Sequence, residues 1–128
     1  MAMTSDEIEY WVASYIEAQK SPAVLDHRHP LWWAIEKFMP PYSDGVSPDD
    51  CWLAILAVLA RKPPGEVLAV LAAGPLEDLI GRHGSEFIVR IETEARRSPE
   101  FRHLLSGVWE SGTPEVWVRV RKAQGPLW

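Results

Sequence analysis

A hydroxyl residue followed by proline and an acidic residue occurs three times in this chain, at 47–49, 98–100 and 113–115. In each tripeptide the hydroxyl can accept a hydrogen bond from a first-turn amide, and the proline takes a position whose N–H has no helical partner. The acidic residue then lies near the positive end of the helix dipole. The three tripeptides therefore predict helix N-termini and divide the chain into helix-sized segments.

Apolar residues recur at helical spacing in two of these segments. The first set is Ile8, Trp11, Val12, Tyr15 and Ile16, and the second is Phe101, Leu104, Leu105, Val108 and Trp109. The spacing predicts two amphipathic helices with Trp11 and Trp109 on their core-facing sides. Thr4 and Glu7, ahead of the first set, have the spacing of a capping box.

Residues 115–122 read EVWVRVRK, in which valines alternate with larger residues as in a half-buried strand. We nevertheless predict a helix, because the Thr-Pro-Glu entry is specific to helices and a lone strand would lack a partner. The predicted fold is all-α. Residues 1–128 are expected to form one compact domain of seven or eight short helices in antiparallel pairs, with a helical-repeat-like stack as a variant.

The stretch GPLEDLIGRHG, at 74–84, is predicted to be one short helix with defined ends. Gly74 is expected to end the preceding helix in a left-handed cap, and Gly84 to end this one. Glu77 and Asp78 would lie in its first turn, pointing to solvent or to a neighbouring helix. Gly81, in the middle, predicts a close approach of another helix.

Charge and cysteine content limit the partners and the compartment. The net charge is −5; residues 1–60 hold nine acids against three bases (−6), and residues 61–128 hold nine against ten (+1). We therefore expect a protein partner, preferably a basic one, and neither nucleic acid nor membrane. A single cysteine, no signal-peptide pattern and no apolar run of ~20 residues predict a cytoplasmic protein.

The features that resemble a reactive site are few. Asp26, His27 and His29 supply metal-ligand types, but their spacing alone is weak evidence, because a polar turn before a helix at Pro30 explains them equally well. Cys51 lies in the most apolar run, where a thiol is inert. We therefore assign no catalytic residue and no cofactor.

Two groups of basic residues could meet an anion. They are Arg96, Arg97 and Arg102 in one segment, and Arg119, Arg121 and Lys122 in another. Because glutamates are interleaved with them and the whole chain is acidic, we interpret both groups as solvated helix faces.

Seven tryptophans are more than a core of this size requires. Adjacent Trp32 and Trp33 cannot point the same way on a helix, so one of them is expected at a surface, where tryptophan is a favoured interface anchor. With Glu77 and Asp78 they are the candidate partner-binding residues. The expected function is a nonenzymatic interaction module, such as an adaptor, an inhibitor or an immunity-like protein.

Two alternatives stay open. One is a metal-dependent enzyme that uses Asp26, His27 and His29. The other is a structural homo-oligomer, in which an exposed apolar patch pairs with a second copy of itself.

Over about residues 30–123 the chain resembles an uncharacterised family of small bacterial helical proteins. The resemblance rests on three segments, LWWA, LAAGPLEDLIGRHG and ARRSPEFRHLLSGVW. That family is marked by an AAGPLEDLL…HG segment and is a domain of unknown function. The resemblance implies a bacterial, cytoplasmic, helical domain, and it implies no particular activity.

Overall fold

The computed structural model describes residues 2–21, 26–42 and 45–125. These residues form seven α-helices and one π-helical segment, and they contain no strand. The helices are α1 (Ser5–Gln19), α2 (Trp32–Glu36), α3 (Pro48–Ala60), α4 (Gly65–Leu71), α5 (Glu77–Arg97), α6 (Pro99–Leu105) and α7 (Pro114–Ala123), with the π segment at Ala72–Leu76. The predicted all-α fold is confirmed, including the helix over the alternating valines.

The predicted helix starts are also confirmed. The side chains of Ser47, Ser98 and Thr113 each accept a hydrogen bond from the backbone amide three residues later, at 3.1, 3.1 and 3.3 Å. Thr4 and Glu7 form the capping box of α1: the Glu7 amide donates to Thr4 Oγ1, and the Thr4 amide donates to Glu7 Oε1. These caps depend only on residues adjacent in sequence.

The prediction of a separate helix at 74–84 is wrong at its start and right, to within a residue, at its end. α4, the π segment and α5 follow one another without a break, and Gly74 and Pro75 lie inside the π segment. A π turn bonds each amide to the carbonyl five residues back, so it accommodates a proline that an α-helix interior would reject. At the other end the backbone is non-helical at His83 (φ −134°, ψ 22°), so a kink one residue before Gly84 separates this helix from the helical residues that follow.

The chain divides into two compact units, Met1–Val67 and Leu68–Trp128. A single domain over 1–128 therefore stays a prediction. In the first unit α1 packs against α2 and α3. Trp11 is fully buried there, as predicted; its Nε1 donates to the Ala34 carbonyl at 2.9 Å, and its ring lies 4.4 Å from that of Phe38.

In the second unit α5 packs against α6 and α7. Gly84 of α5 is buried, and a Cβ built there would lie 2.8 Å from Val116 Cγ1 of α7. Gly81, where we predicted the close approach, is exposed, and its nearest neighbour would be Ser111 Cβ at 3.9 Å. The prediction named the wrong glycine, because helical spacing does not show which turn faces a neighbour.

Trp109 also departs from prediction. α6 ends at Leu105, so the helical spacing that placed Trp109 with Phe101 no longer applies four residues later. Trp109 is 77% exposed.

Candidate functional site

The residues predicted as metal ligands lie in the turn before α2. Asp26 accepts hydrogen bonds from the backbone N and Nε of Arg28, at 2.9 and 3.2 Å, and these bonds lower the pKa of its carboxyl group. His29 Nδ1 accepts from the Leu31 amide at 3.1 Å, while His27 is exposed. Nowhere in the described part of the chain do three potential metal-ligating side chains come together. Asp26 and His29 instead stabilise the entry to α2.

Cys51 is buried in α3, as its apolar context predicted. Burial raises the pKa of its thiol to about 12, with a smaller contribution from the charge of Asp50. The thiol is therefore protonated near neutral pH and is a poor nucleophile.

Trp32 and Trp33 are both half-buried and point to different neighbours. Trp32 Nε1 donates to Glu36 Oε2 at 3.3 Å. The ring of Trp33 stacks on that of Tyr10 of α1, with centroids 5.4 Å apart, and Lys37 Nζ lies 5.7 Å from the Trp33 ring centroid. Tyr10 is 66% exposed, so the stacked pair presents an aromatic surface to solvent.

The face of α1 that carries Tyr10 has an acidic residue at each end, and its Ala13 and Glu17 also border a cleft lined by Lys20, Arg61 and Lys62. Asp6, Tyr10, Ala13 and Glu17 follow one another at i, i+4, i+7 and i+11, and all four are exposed. We call these four residues with Trp33 the acidic-aromatic surface. Sequence reasoning identified Trp33 but missed Tyr10, because a single tyrosine on the polar side of a helix carries no signal until its stacking partner is known.

Glu77 and Asp78, also predicted to bind a partner, are half-buried in the second unit. Glu77 Oε1 accepts a hydrogen bond from the backbone amide of Trp109 at 3.0 Å, 32 residues away. Partial burial raises the pKa of the Asp78 carboxyl, and the neighbouring charge of Glu77 raises it further. Through this hydrogen bond Glu77 holds the backbone at the exposed Trp109 in place.

A family model described as a family of unknown function, DUF6869, matches residues 21–126. The chain belongs to the DUF6869 family. The predicted membership of a family of unknown function is thereby confirmed, and the DUF6869 match extends beyond 30–123 at both ends. It includes Trp33, Glu77 and Trp109, whereas α1 with Tyr10 lies outside it.

Searches of curated proteins and of solved structures found no match. In the described segments, no helix combines the length and apolar character that a bilayer crossing requires.

Proposed function

We propose that this chain is a nonenzymatic protein-interaction module and that its acidic-aromatic surface binds a basic segment of a protein partner. The observation that carries the proposal is the exposed Tyr10, stacked on Trp33 between Asp6 and Glu17 on one face of α1. Tyrosine and tryptophan are the residue types that most often dominate binding energy at interfaces.

The chemistry of this surface suits lysine or arginine side chains. Carboxylates at Asp6 and Glu17 attract cations, and aromatic rings bind them through their faces. Trp33 is already stacked on Tyr10 and has Lys37 over its ring, so the exposed Tyr10 ring is the one that a partner's cation would meet. The net charge of −6 over residues 1–60 favours encounter with a basic partner.

An adaptor, an inhibitor and an immunity-like protein are three forms of this function, and we place them in the bacterial cytoplasm. In each form the chain performs no chemistry and acts by covering a surface of its partner.

The test is affinity capture from a bacterial lysate, with the full chain immobilised. The wild type, Tyr10→Ala and Val89→Ala are used in parallel. Val89 is a matched control, because it is an exposed apolar residue of α5, outside the acidic-aromatic surface. We expect the wild type and Val89→Ala to recover the same basic protein, and Tyr10→Ala to lose it.

The recovered protein is then titrated with each purified chain. The affinity of Tyr10→Ala is expected to be at least ~10-fold weaker, which corresponds to a loss of ~1.4 kcal/mol. Equal recovery by all three chains, or recovery of no common protein, would contradict the proposal.

A further inference from the structure

A cavity of about 290 Å³ lies in the second unit, lined by residues from α5, α6 and α7. Four of the lining side chains are cationic and one is a carboxylate. They are Arg96, Arg102, Arg119, Lys122 and Glu92. Ala95, Ala123 and Gln124 complete the lining, and we call this cavity the basic cleft.

The basic cleft combines the two groups of basic residues that the sequence keeps apart. Arg96 comes from α5, Arg102 from α6, and Arg119 and Lys122 from α7. Arg97 and Arg121, their sequence neighbours, are not part of the lining. Folding therefore selects four of the six basic residues and places them around one space.

The interleaved glutamates neutralise only one of the four cations of this cleft. Glu94 forms an ion pair with Arg97, outside the cleft, and Glu92 pairs with Arg119. Within the described residues no carboxylate lies at ion-pair distance from Arg96, Arg102 or Lys122. Four cations and one anion leave a formal charge of +3 on the lining.

Two of the guanidinium groups are held in place by the protein. Arg102 Nη1 donates to the carbonyl of Ala95 at 2.8 Å, and Arg119 donates to both oxygens of Glu92, at 2.9 and 2.5 Å. A guanidinium has five N–H donors, so donors remain free for a ligand. Because the groups are already ordered, a ligand loses less side-chain entropy on binding them.

We propose that the basic cleft binds a small molecule that carries a phosphate group. A phosphate monoester has a charge near −2 at neutral pH and three acceptor oxygens, so it matches three or four cations better than a single carboxylate does. Arginine forks suit its geometry. The cavity volume is at the small end of the range for ligand pockets (~300–1000 Å³), which fits a phosphorylated metabolite.

This site goes beyond the proposed partner binding, because it lies in the other unit and has the opposite charge. The net charge of −5 on the whole chain disfavours binding of a long polyanion such as nucleic acid. A small anionic ligand is attracted mainly by the positive charge of the basic cleft itself.

The test is a titration of the uniformly ¹⁵N-labelled full chain in phosphate-free buffer. Two-dimensional NMR spectra recorded at each step monitor the backbone amides. Inorganic phosphate and glycerol phosphate are the probes, and acetate is the control for charge alone. We expect saturable shifts of amides lining the cleft with both phosphates and not with acetate. Tighter binding of the ester would identify an organic phosphate as the ligand, and equal binding would identify free phosphate; both support the proposal.

Two double variants distinguish binding in the basic cleft from a general effect of removing positive charge. Arg96→Gln/Lys122→Gln removes two cations from the lining, and Arg97→Gln/Arg121→Gln removes two from the adjacent positions outside it. We expect at least ~10-fold weaker binding for the first and less than ~2-fold for the second. The same spectra report whether each variant is folded.

Three results would overturn the proposal: no saturation by either phosphate, equal weakening in the two double variants, or equal shifts with acetate. Tighter binding of a single-stranded RNA oligonucleotide than of either phosphate, lost in the cleft variant, would also overturn it in favour of a nucleic-acid site.

Discussion

At the scale of single residues, Gly84 is a position where a side chain has no room. An added Cβ would lie 2.8 Å from Val116 Cγ1, and a buried β-branched valine has little freedom to move away. Overpacking of this kind costs ~1–3 kcal/mol, against a gain of ~1 kcal/mol from the better helix propensity of alanine. We expect Gly84→Ala to reduce the free energy of unfolding by up to ~2 kcal/mol.

Gly81 provides the matched control, because an added Cβ would there meet only Ser111 Cβ at 3.9 Å. Gly81→Ala should raise the free energy of unfolding, by at most ~1 kcal/mol. Urea denaturation of both variants measures the difference. In the double variant Gly84→Ala/Val116→Ala the clash is gone, so its loss should be smaller than the sum of the single losses. Equal effects of the two glycine substitutions would contradict this account.

Asp78 carries a charge that the folded chain disfavours. Its pKa is raised by partial burial and, to a smaller extent, by the charge of Glu77. Because α5 continues directly from the π segment, no free helix N-terminus lies beside Asp78 to stabilise its negative charge. A carboxyl whose pKa is higher in the folded than in the unfolded chain favours folding while it is protonated. That contribution is lost as the pH rises through the folded-state pKa.

We therefore expect Asp78→Asn to be more stable than the wild type at pH 7, and the difference to disappear near pH 3. Urea denaturation at the two pH values measures this. In a carboxyl NMR titration, Glu77→Gln should also lower the pKa of Asp78, because it removes the nearby charge. An Asp78 pKa at or below its ordinary value would refute the assignment.

Cys51 is expected to be unreactive in the folded chain. Burial raises its pKa to about 12, and only the thiolate reacts rapidly with a disulfide reagent. At pH 8 the native chain should be labelled by an aromatic disulfide far more slowly than the chain in denaturant. Absorbance of the released thiolate follows both reactions, and equal rates would show that the thiol is accessible.

At the scale of helices, sequence predicted what depends on local contacts. Thr113 caps α7 through the amide of Val116, three residues away, and this cap explains why alternating valines form a helix. The errors at Gly74 and Trp109 concern where a helix continues or ends. At Gly74 a π turn removes the conflict with proline, and at Trp109 the early end of α6 breaks the spacing. Neither event has a distinct residue pattern.

The start of α3 combines a local cap with a distant contact. Asp50 is buried, and its carboxylate accepts hydrogen bonds from the backbone amides of Ser47, at 3.0 Å, and Met3, at 3.2 Å. Asp50→Ala leaves both amides without this acceptor, so we expect a loss of about 2 kcal/mol in the free energy of unfolding. Asp6→Ala, an exposed first-turn acid of α1, is the control and should leave stability nearly unchanged. Thermal and urea denaturation measure the stability of both variants. An equal loss of stability in the two variants would contradict the role of Asp50.

At the scale of the whole molecule, composition predicted the sign of the charge but not its local arrangement. The acidic excess of residues 1–60 is visible in the sequence, and it includes the acids beside Tyr10. The basic cleft is not visible, because its four cations come from three helices, and sequence does not show that Glu94 pairs outside the cleft while Glu92 pairs with Arg119 inside it. Which charges share a space is a property of the tertiary structure.

The net charge also bears on self-association, one of the two alternatives to a module with a separate partner. A two-fold dimer formed through the acidic-aromatic surface would bring the carboxylates of both copies face to face, and their repulsion disfavours it. We expect light scattering to give the monomer mass of 14.5 kDa over a wide concentration range at low salt. Trp109→Ser, which removes the most exposed aromatic ring described, should have the same mass. A mass that doubles with concentration in the wild type and not in Trp109→Ser would instead identify the Trp109 surface as a contact between copies, and would favour the homo-oligomer.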